Sequence, residues 1–342
     1  MPSTMFQQFR SPYTETLNTT LRRVVDSFAG ASTEFQTMIR YQMAWVNADG
    51  SPYDKSAGKQ VRPTLLLLCT EAAGGNWQDA LPAAAAVEIL HNFSLVHDDI
   101  QDKSEIRHGR ETLWRVWDER QAINVGDAMF ALSYCGMELL TEQAVPSPVS
   151  NKAWKIFNRT VLELTRGQNL DMTFEALPWV SVEDYLSMIR GKTAALLAAC
   201  GEIGALIGAE DEALAQHYAE FGLNLGIAFQ VHDDILGIWG DPAITGKSAA
   251  SDIVLRKKSI PVLYALERSE RLRAMYARTS EGDEDVQAII HEIEATGARD
   301  YNIATEEQYS HAAIQALQRA NPQGHAAEQL FALTDALLQR EY

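Results

Sequence analysis

Apolar residues recur at three- and four-residue spacing through almost the whole chain, and no alternating apolar/polar run bounded by hairpin turns interrupts them. That pattern argues against a sheet architecture. It predicts helices over about 14–46, 58–73, 79–102, 119–142, 150–175, 182–208, 211–239, 251–275, 284–296 and 304–340. Between them stand Asp49-Gly50-Ser51-Pro52, Gly74-Gly75-Asn76, Pro146-Ser147-Pro148, Gly240-Asp241-Pro242 and Asn321-Pro322, which break helices through glycine freedom or a missing N–H. Asp79, three residues before Pro82, reads as the start of the 79–102 helix. The breaks are short and none resembles a flexible linker, so one all-α domain over residues 1–342 is expected.

Charge narrows the function. With 29 Lys and Arg against 46 Asp and Glu, the 342-residue chain carries a formal charge of −17, the wrong sign for binding a phosphate backbone. No nucleic-acid partner is expected. Cys69, Cys135 and Cys200 lie far apart with no paired spacing, which fits a reducing compartment rather than a disulfide or zinc framework. The first residues, Met1 to Thr16, hold no apolar signal-like core. The longest apolar stretch, Ala194 to Ala209, is interrupted by Glu202 and falls short of the roughly 30 Å of hydrocarbon a spanning helix must cross. A cytoplasmic protein without a transmembrane segment is expected.

Within the helical pattern one pentapeptide occurs twice. Val96-His97-Asp98-Asp99-Ile100 returns as Val231-His232-Asp233-Asp234-Ile235, each at the end of a strongly apolar run. Asp98 and Asp102 sit four apart, about 40° from one another on one helix face. Like charges at that spacing, at the electronegative end of a helix, call for a cation. Carboxylate oxygens are hard ligands, and one or two of them with substrate phosphates is how Mg²⁺ is usually held. A solvated acidic helix end is the plainer alternative for either copy alone; two copies, each behind an apolar helix, favour a shared chemistry.

Basic residues cluster where they could answer these carboxylates. Lys59 and Arg62 lie three apart in Gly58-Lys59-Gln60-Val61-Arg62-Pro63, and Arg107 and Arg110 follow the first acidic group. Lys192-Thr193 stands directly before the uncharged run Ala194–Cys200; Lys247, Arg256, Lys257 and Lys258 follow the second acidic group. Taken singly, each is equally a surface side chain whose stem packs on the protein. Together they suit two diphosphates of roughly three negative charges each, with arginine clamping and lysine acting as a point charge.

These residues, in this order, resemble the trans-isoprenyl diphosphate synthases, or polyprenyl synthetases, over about residues 55–340. Asp98-Asp99-Ile100-Gln101-Asp102 is similar to the family's first aspartate-rich motif. Gly58-Lys59-x-x-Arg62-Pro63 and His91 resemble its isopentenyl diphosphate site, and Arg107 its allylic diphosphate contact. Gly167-Gln168-x-x-Asp171, Lys192-Thr193, Phe229-Gln230-x-x-Asp233-Asp234, Lys247 and Lys257 follow in the family's order. Two positions depart from the pattern. Gly237 stands where the second motif ends in a third aspartate, with Asp241 a distant helper, and His108 stands where a second arginine is common.

The resemblance implies an isoprenoid-synthase-type helical bundle around a central cavity, acting as a homodimer. It implies head-to-tail condensation of isopentenyl diphosphate with an allylic diphosphate (dimethylallyl, geranyl or farnesyl), using Mg²⁺, three ions with substrate bound. Metal would be held by Asp98, Asp99, Asp102, Asp233 and Asp234. Lys59, Arg62, His91 and His108 would bind isopentenyl diphosphate, and Arg107, Lys192, Lys247 and Lys257 the allylic diphosphate. Thr193 and Gln230 would place oxygen dipoles beside the allylic cation. Phe93, five residues before the first motif, with Ser94 below Asp98, implies a twenty-carbon product, geranylgeranyl diphosphate; farnesyl or a slightly longer diphosphate is the alternative. Phe93 is equally placed to be a core residue. The rival classes are a His-Asp metal phosphohydrolase using His91 and His97, a class I terpene cyclase, and a regulatory subunit of a heteromeric synthase. The second Asp-Asp pair, the missing Asn/Ser/Glu triad and the intact first motif argue against them in turn.

Overall fold

Helices carry the fold, as the periodicity requires. The structure is a computed structural model and describes residues 9, 13–28, 32–53, 58, 60–240, 250–277 and 283–338. The principal helices are α1 (Thr14–Asp26), α2 (Thr33–Gln42), α3 (Val61–Ala72), α4 (Leu81–Gln101), α5 (Glu119–Glu138), α6 (Ser147–Ala176), α7 (Val182–Ile189), α8 (Ala195–Ala209), α9 (Glu212–Trp239), α10 (Ile260–Arg268), α11 (Asp283–Ala295), α12 (Ala298–Ala320) and α13 (Gly324–Leu338). They fall into two compact units. The first comprises residues 1–155, 203–212 and 323–330, the second 156–202, 213–322 and 331–342.

In the first unit α4 packs along α5, with α1 and α3 against it. Pro82 lies in the first turn of α4, where a missing N–H costs no hydrogen bond. The alanines at 83–86 then give a narrow face, and residues 81–90 are all buried. This helix does not begin on Asp79. Asn76 caps a 3₁₀ turn, Trp77–Ala80, that runs directly into it. Gly126 on α5 leaves room for the His97 ring, which a side chain there would overlap.

In the second unit one core joins Tyr185, Ile189, Ile227, Val231, Ile260 and Leu263. Another joins Ile253, Val262, Leu266, Leu272, Ile289 and Ile293. The helix predicted over 251–275 is three pieces: Ser251–Val254, α10 and Glu270–Tyr276. Pro261 opens α10 after an extended Ser259, and extended Ser269 caps the next piece by accepting from the Leu272 amide at 3.0 Å. The segment predicted over 304–340 likewise divides at Asn321, which takes a left-handed φ of 48° before Pro322.

Two further differences concern the site. A two-stranded hairpin, β1 (Ile106–Arg107) with β2 (Arg110–Glu111), follows α4. Its turn residues His108 and Gly109 have φ of 52° and 75°, the double left-handed geometry of a tight hairpin loop. Strands of two residues are too short to show alternation, which is why periodicity missed them. Between α7 and α8 the chain makes a π turn, Arg190–Ala194, without leaving the helical path. The resulting continuous helix, Val182–Ala209, is by length and composition apolar enough to cross a membrane, longer than the stretch read from sequence. In its most apolar window 61% of the residues are buried inside the protein, as in a core helix. No disulfide joins Cys69, Cys135 or Cys200.

Candidate functional site

The repeated pentapeptide folds twice into the same division of labour. Consecutive residues on a helix point about 100° apart, so His, Asp and Asp face three ways. In each copy the second aspartate is buried, Asp99 at 3% and Asp234 at 1% exposure, while Asp98 and Asp233 are partly open. Each histidine turns to a carboxylate of a neighbouring helix: His97 lies 3.8 Å from Asp127 on α5, and buried His232 lies 3.1 Å from Glu306 on α12.

In the first unit the hairpin delivers Arg107 to the acidic end of α4. Its Nε donates to Asp99 Oδ1 at 2.6 Å and its Nη2 to Asp98 Oδ2 at 3.2 Å. Burial raises the Asp99 pKa above the ordinary carboxylate value, with the Arg107 charge opposing it. Asp102, the C-cap of α4, is exposed. Arg62 Nη1, at the start of α3, meets His91 Nε2 of α4 at 3.1 Å. Arginine can only donate, so Nε2 accepts and the ring proton is on Nδ1. Burial, then the charges of Arg62, Arg107 and His108, hold the His91 pKa well below its usual value.

That depression fixes a pH dependence. Below about pH 6.5 the unfolded chain takes up a proton at His91 that the native protein does not, so stability falls as pH drops through that value. In His91→Gln this contribution is gone. Thermal unfolding should then lose less between pH 7 and pH 5 than in the parent; an unchanged slope would refute a neutral buried His91.

Phe93 is half-buried in an aromatic run. It meets His97 edge-on at 4.9 Å and Phe130 of α5 at 5.0 Å, and Phe130 continues to Tyr134. Ser94 donates back to the His91 carbonyl at 2.7 Å. His108 holds the hairpin turn.

In the second unit Asp234 is the hub. Its Oδ1 accepts from Tyr185 and from Gln230 Nε2, each at 3.1 Å, and its Oδ2 accepts from the Ile260 amide at 3.2 Å. Thr193 Oγ1 donates to Gln230 Oε1 at 3.1 Å, so a chain of bonds runs from the π turn to the buried carboxylate. Burial pushes the Asp234 pKa up to about 6 despite the Lys257 charge. Lys192 pairs with Asp171, and Lys257 Nζ lies 4.0 Å from Asp252 Oδ2. Partial burial opposes the Lys257 charge, but Asp252, Asp234 and Asp171 outweigh it and its pKa is raised. A π turn widens a helix locally and is a frequent device at functional sites. Here it presents Lys192 and Thr193 side by side.

Several basic residues serve the scaffold instead. The Arg110 guanidinium lies over Tyr41 and Tyr53, 4.0 and 4.1 Å from their ring centres, and donates to the carbonyls of Tyr41 and Val46. Arg256 covers Tyr276, and Lys258 donates to the carbonyls of Phe174, Glu175 and Leu177 at the end of α6. Lys59, Lys247 and Asp241 lie outside the described residues. Sequence reasoning missed Tyr185 and Asp252, which touch the second acidic set from a distance in sequence.

The donors suit a hard divalent cation. They are carboxylate oxygens, and those of Asp98, Asp102 and Asp233 belong to residues that are not buried. Among the described residues no three His, Cys, Asp or Glu side chains form a ready-made cage. His91 Nε2 is taken up by Arg62, which argues against that nitrogen as an imidazole ligand of a His-Asp hydrolase.

Helical units with acidic ends, faced by arginine and lysine, define a protein that handles organic diphosphates. The polyprenyl synthetase family model matches residues 44–293, and the chain belongs to that family. It is 38% identical over 310 residues to the geranylgeranyl diphosphate synthase of Mycobacterium tuberculosis, covering 89% of this chain and 86% of that one. It is 36% identical over 293 residues to the (2E,6E)-farnesyl diphosphate synthase of Mycobacterium bovis, covering 83% and 79%. The crystal structure of a polyprenyl synthetase from Streptomyces coelicolor superposes with a TM-score of 0.87 at 35% identity, covering 99% of this chain and 100% of that one. The protein is an all-α trans-prenyltransferase that makes isoprenyl diphosphates.

Proposed function

We propose that the enzyme is a geranylgeranyl diphosphate synthase. Phe93 carries the reading: it stands five residues before Asp98, where the family resemblance puts the chain-length ruler, and the Phe130 contact fixes its ring. Relatives bearing both the geranylgeranyl and the farnesyl name make the farnesyl product the second reading.

In this reading Arg62 and neutral His91, with Lys59 and His108, hold isopentenyl diphosphate. Arg107, Lys192, Lys247 and Lys257 hold the allylic diphosphate and meet the charge that develops as it departs. Divalent cations, held by Asp98 and Asp102 in the first unit and by Asp233 in the second, would supply further charge neutralisation to diphosphate when bound. Buried Asp99 and Asp234 act on the protein side, orienting Arg107 and Gln230. Thr193 and Gln230 offer oxygen dipoles to the allylic cation. The double bond of isopentenyl diphosphate attacks the cationic carbon, and the proton then lost passes to the released diphosphate. Burial of the helix faces behind these residues favours condensation over attack by water.

The family match runs unbroken through segments of both units, which supports one functional domain over residues 1–342. We further infer a cytoplasmic homodimer that uses three Mg²⁺ ions with substrate bound; the acidic composition agrees with it.

The test is incubation with Mg²⁺, isopentenyl diphosphate and each allylic primer, with products identified by mass spectrometry. A twenty-carbon diphosphate is expected; a fifteen-carbon one gives the second reading its place. Phe93→Ala should move the product to twenty-five carbons or more. An unchanged product length in that variant removes Phe93 as the ruler.

A further inference from the structure

Asn302, Glu306 and Tyr309 are spaced four and three residues apart on α12 and so share one face of it. Each reaches the helix that carries the second acidic set or the π turn beside it. Asn302 Nδ2 donates to the Val231 carbonyl of α9 at 3.1 Å. Glu306 Oε1 meets Nδ1 of His232, the next residue, at 3.1 Å. A carboxylate accepts, so that ring nitrogen carries a proton. One turn on, Tyr309 Oη accepts from Arg190 Nη2, at the head of the π turn, at 3.3 Å. Asn302, His232 and Glu306 are 0%, 1% and 8% exposed. A polar pair buried between helices is a costly way to hold them together, since apolar side chains of similar volume often do as well or better. Directional bonds add a defined roll and register. The apolar contacts of Ile227 and Val231 in the same core are non-directional and tolerate a small slip. Asp233, the carboxylate with an open side, follows His232 directly. The first pentapeptide repeats the arrangement, with His97 turned to Asp127 of a neighbouring helix.

We propose that Glu306, supported by Asn302, is a positioning residue for Asp233. It grips His232 and so sets the roll of α9 at the point where the next carboxylate must face the cation and the allylic diphosphate. Tyr309 ties the π turn, and with it Lys192 and Thr193, to the same face of α12. The inference rests on the reading that Asp233 serves the allylic diphosphate.

Calorimetric binding of inorganic diphosphate with Mg²⁺, steady-state condensation and urea unfolding, all on the full chain, test it together. A parent protein that neither binds diphosphate nor condenses ends the functional reading, and this inference falls with it. With both established, Glu306→Ala should weaken diphosphate binding about tenfold or more, within the range for residues that orient a metal's ligands. It should raise KM for the allylic diphosphate and leave that for isopentenyl diphosphate unchanged. Glu306→Gln should keep the parent's constants, because its amide oxygen still accepts from Nδ1. The decisive variant replaces the pair by apolar side chains, His232→Leu with Glu306→Leu. Its urea midpoint should equal or exceed the parent's, yet its allylic KM should stay as high as in Glu306→Ala. A scaffold role would recover both together. Parental diphosphate affinity in folded Glu306→Ala, equal rises in the two KM values, a loss in Glu306→Gln as large as in Glu306→Ala, or an apolar pair with the parent's allylic KM overturns the proposal.

Discussion

Asp98→Asn is expected to lower kcat for condensation by about two to three orders of magnitude, the usual cost of removing one charge-stabilising group from a reacting centre. The carboxylate has an open side, and its Oδ2 also meets Arg107 at 3.2 Å, so the loss touches cation binding and the arginine together. Asp99→Asn should behave differently. Its oxygen is buried against Arg107 Nε at 2.6 Å, so that exchange lowers stability and misplaces Arg107 before it affects cation affinity. Manganese titration, steady-state rates and urea unfolding on both variants distinguish them. Equal losses of Mn²⁺ affinity in the two would overturn the assignment of working and scaffold aspartates.

Gly167→Ala is expected to destabilise the protein by about 1–3 kcal/mol, as overpacking at a tight contact does, and to remove most of the activity. A Cβ at Gly167 would overlap the Lys192 amide and lie 2.6 Å from the Gly191 carbonyl carbon. The backbones of α6 and the π turn touch at these two glycines, so a methyl must push the turn outward. Lys192, paired to Asp171 on α6, and Thr193, bonded to Gln230, move with it. Ser187→Ala, on the neighbouring α7, provides a control expected to change neither property. Full activity with parental stability in Gly167→Ala would show that the turn is not held by this contact.

Much of this was readable in the chain because helices declare themselves locally. The start of α9 and the ends of the 182–209 helix fall within a residue of the periodic pattern. The aspartates were legible through repetition, and the basic residues through their rarity in an acidic chain. What sequence could not apportion was the use of each charge. Arg107 and Arg110 are three residues apart, but the hairpin turn sends one to Asp98 and Asp99 and the other to Tyr41 and Tyr53. Lys257 and Lys258 are adjacent, but one faces Asp252 and the other caps α6. The π turn left no mark in composition, since Arg190-Gly191-Lys192-Thr193-Ala194 is compatible with an ordinary helix.

The doubled pentapeptide makes rotational phase an inherited property of this enzyme. Inserting one residue into α4 or α9 ahead of its copy turns everything beyond by about 100° relative to what precedes it. The buried carboxylate would swing into the apolar seat of Ile100 or Ile235, both buried, and the histidine into the seat of an aspartate. Inserting three or four residues in all, instead of one, nearly restores the phase while advancing the group about 5 Å along the axis. Over evolutionary time, length changes in these two helices should therefore survive in steps of a turn, whereas the loops outside them can drift one residue at a time.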